Sequence, residues 1–247
     1  MLDFQPETLF LITAVLFLAG FVKGIIGFGL PAIAVGLLGL MMTPLQAAGL
    51  LLVPNIVTNI WQMMSGGAFR SLLQRLYPLF LGILLGIAAT EFMTGGKDLA
   101  WAKTLLGLTL ITYAVLGLFA IRFHVPEQHE KWVGVCSGLL TGVMTLATGV
   151  FVIPSGPYLQ ATGLEKDELV QAMGMTFFVS SLGLGLALLS RGMMNTTAAG
   201  SSIIALIPAL AAMILGQRLR TKISQQLFRK LFYIGMLILG AFLMLRS

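Results

Sequence analysis

The sequence predicts an all-α, polytopic integral membrane protein: two inverted repeats of transmembrane helices with short broken or re-entrant helices. Three observations carry this. Of 247 residues, 57% are hydrophobic and 10% charged, with a mean hydropathy of +0.96, more apolar side chain than a soluble domain can hide. Apolar runs of about 20 residues, the length a helix needs to cross the hydrocarbon core, recur from end to end. None shows the polar–apolar alternation of an outer-membrane barrel strand.

The elements follow in order. The first, 8–27, comes after the start MLDFQPETLF, which holds Asp3 and Glu7 but no basic residue. A cleavable signal peptide needs a positive leader, so residue 1 is expected to be the mature start. The run closes on GFVKGIIGFGLP at 20–31, where Lys23 is the one charge between Glu7 and Arg70. The second element, 29–42, begins there because Pro31 is barred from a helix interior and suits a first turn. The third, 44–64, carries Asn55, Thr58 and Asn59 on a helix loosened by Pro54. The fourth and fifth, 72–93 and 98–121, lead to the polar loop RFHVPEQHEK at 122–131. Beyond it come 131–148 and the short 149–161, broken within TLATGVFVIPSGP, then 168–190, 199–216 and 222–245. The second and seventh elements are too short to span comfortably, and are either half-helices of a re-entrant hairpin or tilted short crossings.

Each group of five elements opens with a long segment and a short one, which suggests an internal repeat. AGFVKGIIG at 19–27 aligns with SGLLTGVMT at 137–145, pairing Gly20 with Gly138, Gly24 with Gly142 and Lys23 with Thr141. Gln46-Ala47-x-Gly49 matches Gln171-Ala172-x-Gly174. The chain therefore divides into a first transmembrane repeat (1–121), a cytoplasmic linker loop (122–130) and a second repeat (131–247). If each long-plus-short pair returns the chain to its starting side, Arg70, Arg75, Arg122, Lys131, Lys166, Arg218, Arg220 and Lys222 share one face. Asp3, Glu7, Lys97, Asp98, Arg191 and Arg246 fall on the other. The positive-inside rule puts the first set in the cytoplasm and both termini outside. Each repeat then crosses an odd number of times, so the two are inverted.

The net charge of +6 reads as cytoplasmic loop charge, with no nucleic-acid partner. Cys136 stands alone, which excludes an internal disulfide and a cysteine metal cluster, and it reads as a small packing residue. His124 and His129 match no zinc spacing and belong to a solvated linker. No intramembrane carboxylate pair, serine–histidine arrangement or metal-ligand cluster is present, so neither an enzyme nor a cofactor is expected. Glu91, the acidic residue nearest to a span, reads as loop-proximal and solvated. The partners expected are the lipid bilayer and a small anion, with a homo-oligomer left open.

Several residues qualify for an anion site. Gly24, Gly27 and Gly29 precede Leu30-Pro31. Glycines in membrane helices allow close packing, but a helix break at 27–30 also exposes N–H groups and a positive helix end to an anion. Thr145, Thr148 and Gly149 suit the same job in the second half, although Thr145 and Ala147 stand where Gly27 and Gly29 would repeat. Lys23 lies about 25 Å along a straight first helix. It either snorkels to the interface or, with no acidic partner nearby, pairs with an exogenous anion. Asn55 and Asn59, one turn apart, are either a polar helix–helix contact or neutral ligands for an oxyanion. Gln171, Thr176, Ser180 and Ser181 are their counterparts in the second half.

FVKGIIGFGLPAIAVGLLGL followed by TPLQAAGLLLVPNIVTNIWQ resembles the opening signature of the sulfite exporter TauE/SafE family, also called the toluene sulfonate uptake permease family. The ending is similar to the family's closing pattern, with a glycine before the turn QRLRTKIS, then FRK and a last span carrying a glycine. The resemblance covers nearly the whole chain. It implies a small inner-membrane transporter of sulfite, sulfoacetate or other organosulfonates. The reading that follows is a secondary transporter working by alternating access at the repeat interface, with Lys23, Gly27, Phe28, Gly29, Asn55, Asn59, Thr145, Thr148, Gly149 and Ser180 at the substrate. A passive anion channel, a carrier of a non-sulfur organic anion and a membrane assembly factor are the alternatives.

Overall fold

The computed structural model describes residues 6–97, 99–119 and 124–245. Asp3, Asp98, Arg122 and Arg246, used above for charge counting, lie outside them. Among the described residues the secondary structure is helical throughout. The α-helices are α1 (Pro6–Ile26), α2 (Leu30–Leu38), α3 (Pro44–Leu50), α4 (Leu52–Met64), α5 (Phe69–Thr94), α6 (Ala102–Leu118), α7 (Glu130–Thr148), α8 (Ser155–Ala161), α9 (Lys166–Ser190), α10 (Thr196–Leu219) and α11 (Gln225–Leu245).

Five helices, α1, α5, α9, α10 and α11, are long and apolar enough to cross a membrane, and α3 with α4, bent by 56° at the break between them, is either a broken sixth span or a re-entrant loop. The third expected element is thus two helices. A capping box fixes the start of α3: the Gln46 N–H donates to Thr43 Oγ1 (3.3 Å), and the Thr43 N–H to Gln46 Oε1 (3.0 Å). At the bend Pro54 has no N–H to give, and the Val53 N–H donates to Ser202 Oγ of α10 (3.0 Å). α2 and α8, of 9 and 7 residues, rise only about 13 Å and 10 Å, too little to cross alone.

The helices cross at glycines. α1 lies along α10, and α5 along α7. A Cβ on Gly20 would sit 2.2 Å from the Ala209 carbonyl oxygen, and one on Gly24 2.2 Å from that of Met213. In α7, a Cβ on Gly138 would meet the Leu79 oxygen at 2.3 Å, and one on Gly142 the Ile83 oxygen at 2.2 Å. These are the glycine pairs that the sequence alignment matched. Their partners also correspond in spacing, since Leu79 and Ile83 follow Pro78 as Ala209 and Met213 follow Pro208. The packing role considered for Gly24 is therefore the observed one. Such backbone approach is how helices associate in lipid, where burying apolar area gives no net drive.

Two ion pairs mark the ends of the bundle. At one end Arg75 Nε donates to Glu130 Oε1 (2.7 Å) and Arg75 Nη2 to the Thr162 carbonyl (2.7 Å), tying α5, α7 and the turn after α8. Gln171 holds the α4–α5 turn nearby, donating to the carbonyls of Met63 and Gly66 and accepting from the Ala68 N–H. At the other end Arg191 Nη2 lies 2.6 Å from Glu91 Oε2, so Glu91 is an ion-pair partner rather than simply solvated. Cys136 is exposed on α7 and not a packing residue. α1 runs from the Arg191 end to the Arg75 end, and α6 reaches the Arg75 end again. The second five helices start there and α11 finishes at the Arg191 end.

Candidate functional site

α1 stops at Gly27 because Gly27 (φ 86) and Gly29 (φ 99) adopt left-handed backbone, a conformation that glycine takes without steric cost. The Gly27 N–H donates to the Lys23 carbonyl (2.8 Å), and α2 starts afresh with Pro31 in its first turn. Phe28, between the two glycines, is buried in an aromatic cluster. Its ring meets Tyr113 edge-on at 6.3 Å and Phe232 at 6.4 Å. A Cβ on Gly29 would press the Phe232 ring at 3.2 Å.

Lys23, one turn before the break, is 3% exposed. It does not snorkel. Its Nζ donates to Thr58 Oγ1 (2.9 Å) and to Asn59 Oδ1, clasping α1 to α4. Thr58 passes its own hydrogen to the Pro54 carbonyl (2.6 Å). No described carboxylate is within ion-pair reach of Lys23. Beside it the buried Asn59 Nδ2 and Asn55 Oδ1 have no hydrogen-bond partner among the described residues. The site is a lysine amino group in a dry interior, held by neutral oxygens only, next to an uncommitted amide N–H.

The second-half candidates are placed differently. α7 runs one turn past the aligned position, so Gly149 (φ 73), not Thr145, occupies the break, and its N–H donates to the Thr145 carbonyl (2.9 Å) as Gly27's does to Lys23. A Cβ on Gly149 would lie 2.6 Å from Ala48 Cβ and 3.2 Å from the Pro44 oxygen, toward the Arg191 end. The hydroxyls of Thr145, Thr148, Ser180 and Ser181 donate to carbonyls one turn back in their own helices, and Thr176 likewise. Their hydrogens are committed, leaving only acceptor capacity. The structure thus joins Lys23 to Asn59, and places Gly27, Phe28 and Gly29 one turn away. It puts Gly149 at the opposite end of the bundle from Gly27.

A cavity of about 550 Å³ opens beside Gly27 and Phe28, walled by Lys166, Arg220 and Arg229 with Gln160, Tyr113 and Tyr233. Arg229 Cζ lies 5.7 Å from the centre of the Phe28 ring, stacked as a cation–π contact. This vestibule was not legible as a site. Its basic residues read from sequence as loop charge, and only the FRK triplet entering the last helix hinted at Arg229. Three cations around one open cavity raise the local concentration of anions, and Gly27 and Phe28 of the helix break form part of its wall. No group of metal-ligating side chains occurs among the described residues.

The family model described as "Sulfite exporter TauE/SafE" matches residues 12–243. No curated protein and no solved structure matches the chain.

Proposed function

The chain belongs to the TauE/SafE sulfite exporter family, a family of multi-pass membrane transporters, and from that premise we propose that it is a secondary transporter of small sulfur-containing anions. Sulfite, sulfoacetate and other organosulfonates are the substrate class. The observation that carries the reading is Lys23, 3% exposed, paired with no carboxylate among the described residues and held by Thr58 and Asn59. An unpaired buried ammonium is costly. A sulfur oxyanion supplies the missing countercharge, and it can accept from the third Lys23 N–H and from Asn59 Nδ2. Charge-assisted contacts of this kind are short and strong.

In this reading the anion enters through the basic vestibule, passes the Gly27–Gly29 break and reaches Lys23. Asn55 and Asn59 orient it. Thr145, Thr148, Gly149 and Ser180 act in the opposite half of the cycle, at the break facing the other end. Two like-built crossings, α1 on α10 and α7 on α5, support inverted repeats that rock against each other in alternating access. The Arg75 end, with Lys166, Arg220 and Arg229, faces the cytoplasm of a bacterial-type inner membrane by the positive-inside rule. The described ends of the chain then lie on the extracytoplasmic side.

Uptake into proteoliposomes tests the proposal, with sulfite, sulfoacetate, taurine and acetate compared under imposed proton and sodium gradients. Saturable, gradient-driven movement of the sulfur oxyanions is the expected result. Movement insensitive to any gradient would mean a channel, and movement of acetate alone would remove the sulfur assignment.

A further inference from the structure

Phe28 lies beside Gly27 in the vestibule wall, in the break that follows α1, and the Gly27 N–H donates to the Lys23 carbonyl one turn back. Phe28 is 4% exposed, yet it has a left-handed glycine on each side. A Cβ on Gly27 would meet nothing within 4 Å, so Gly27 is not there to admit a neighbour. Glycine is there because its φ of 86, like the 99 of Gly29, is left-handed backbone that glycine takes without steric cost.

What holds the ring in place is weak on the vestibule side. Tyr113 and Phe232 meet it edge-on, and Arg229 covers it from the cavity. Arg229 itself is exposed, and no carboxylate pairs with it among the described residues. A guanidinium presents a planar fork of donors that matches an oxyanion bidentately. A cation–π contact at a solvated site is the weaker of the two interactions. An oxyanion arriving in the vestibule therefore competes directly with the Phe28 ring for Arg229.

We infer that Arg229 is the vestibule's anion-recognising residue and an anion-released latch: it pins Phe28 over the helix break until an oxyanion takes its guanidinium and lets the ring swing aside. The inference rests on the transport reading for what lies beyond the ring, but the latch has its own readout. It assigns Arg229 to substrate contact and Phe28 to the barrier, and it makes opening depend on the anion rather than on thermal motion alone.

Val22 reports on the barrier. It is 5% exposed, its Cγ1 lies 3.6 Å from where a Gly29 Cβ would be, and it is in neither the vestibule wall nor the Lys23 clasp. In a Cys136→Ser background, Val22→Cys is labelled with N-ethylmaleimide, with and without sulfoacetate, and sulfoacetate uptake is measured on the same protein. Labelling is expected to be slow without anion and about two- to fivefold faster with it, the change that a solvated cation–π contact can command. Adding Arg229→Gln should make labelling fast without anion and indifferent to it. Phe28→Ala should do the same, and it serves if Arg229→Gln does not fold. If either variant labels as slowly as its parent, the latch is wrong, whatever the uptake result. If both label fast while the parent moves no sulfoacetate, the latch stands and the transport assignment falls.

Discussion

Replacing Lys23 by methionine removes a charge while keeping most of the side-chain volume, and the structure lets stability and transport be separated. The change deletes the hydrogen bonds to Thr58 Oγ1 and Asn59 Oδ1. Bonds from a charged donor contribute about 1.5–3 kcal/mol each. The ammonium's own burial costs several kcal/mol in the opposite direction, so Lys23→Met is expected to unfold within about 2 kcal/mol of the parent. Transport responds differently. An anion about 4 Å from the ammonium at an effective dielectric near 20 is attracted by about 4 kcal/mol. With half of that offset by stripping water from the anion, about 2 kcal/mol is lost, a thirtyfold weakening. Paired measurements of thermal unfolding in detergent and of KM for sulfoacetate uptake into proteoliposomes check both numbers. A variant that folds and transports within threefold of the parent would show that Lys23 only clasps α1 to α4, and the substrate role assigned to it would be wrong.

Gly142→Ala should cost about 3 kcal/mol through overpacking, because its Cβ meets the Ile83 oxygen at 2.2 Å, whereas Gly67→Ala, with nothing within 4 Å, should unfold like the parent in the same thermal scan. Gly149→Ala combines a left-handed φ of 73 with a Cβ 2.6 Å from Ala48 Cβ, so Ala48→Gly should restore part of the lost stability but not the part due to backbone strain. Arg75→Gln leaves the Glu130 carboxylate, 10% exposed, without its partner. Since Arg75 is itself 37% exposed, solvent limits the cost to about 1–2 kcal/mol, and Glu130→Gln on top should recover some of it in a double-mutant cycle. Raising ionic strength should raise KM for an anion that enters past Lys166, Arg220 and Arg229, because the attraction of water-facing cations is screened within about 8 Å at physiological salt.

The sequence by itself determined the solvent of this protein, its helical class and most of its helix boundaries, because apolar length and the positions of glycine and proline are local properties of the chain. It also marked Gly20, Gly24, Gly138 and Gly142 as equivalent, which the two crossings repeat in three dimensions. Tertiary structure decided what those residues touch. Lys23 left two readings open in sequence, and which oxygens it meets depends on the 56° bend between α3 and α4, which directs Thr58 and Asn59 toward α1. The hydroxyls of Thr145, Thr148 and Ser180 looked available as donors, yet a threonine or serine inside a helix finds the carbonyl one turn back before any ligand. Arg229 and Phe28 lie 201 positions apart in sequence, and no periodicity connects them. Only the packing of α11 beside the break in α1 brings a guanidinium onto that ring, since long-range contacts are set by how helices cross and not by what each one contains.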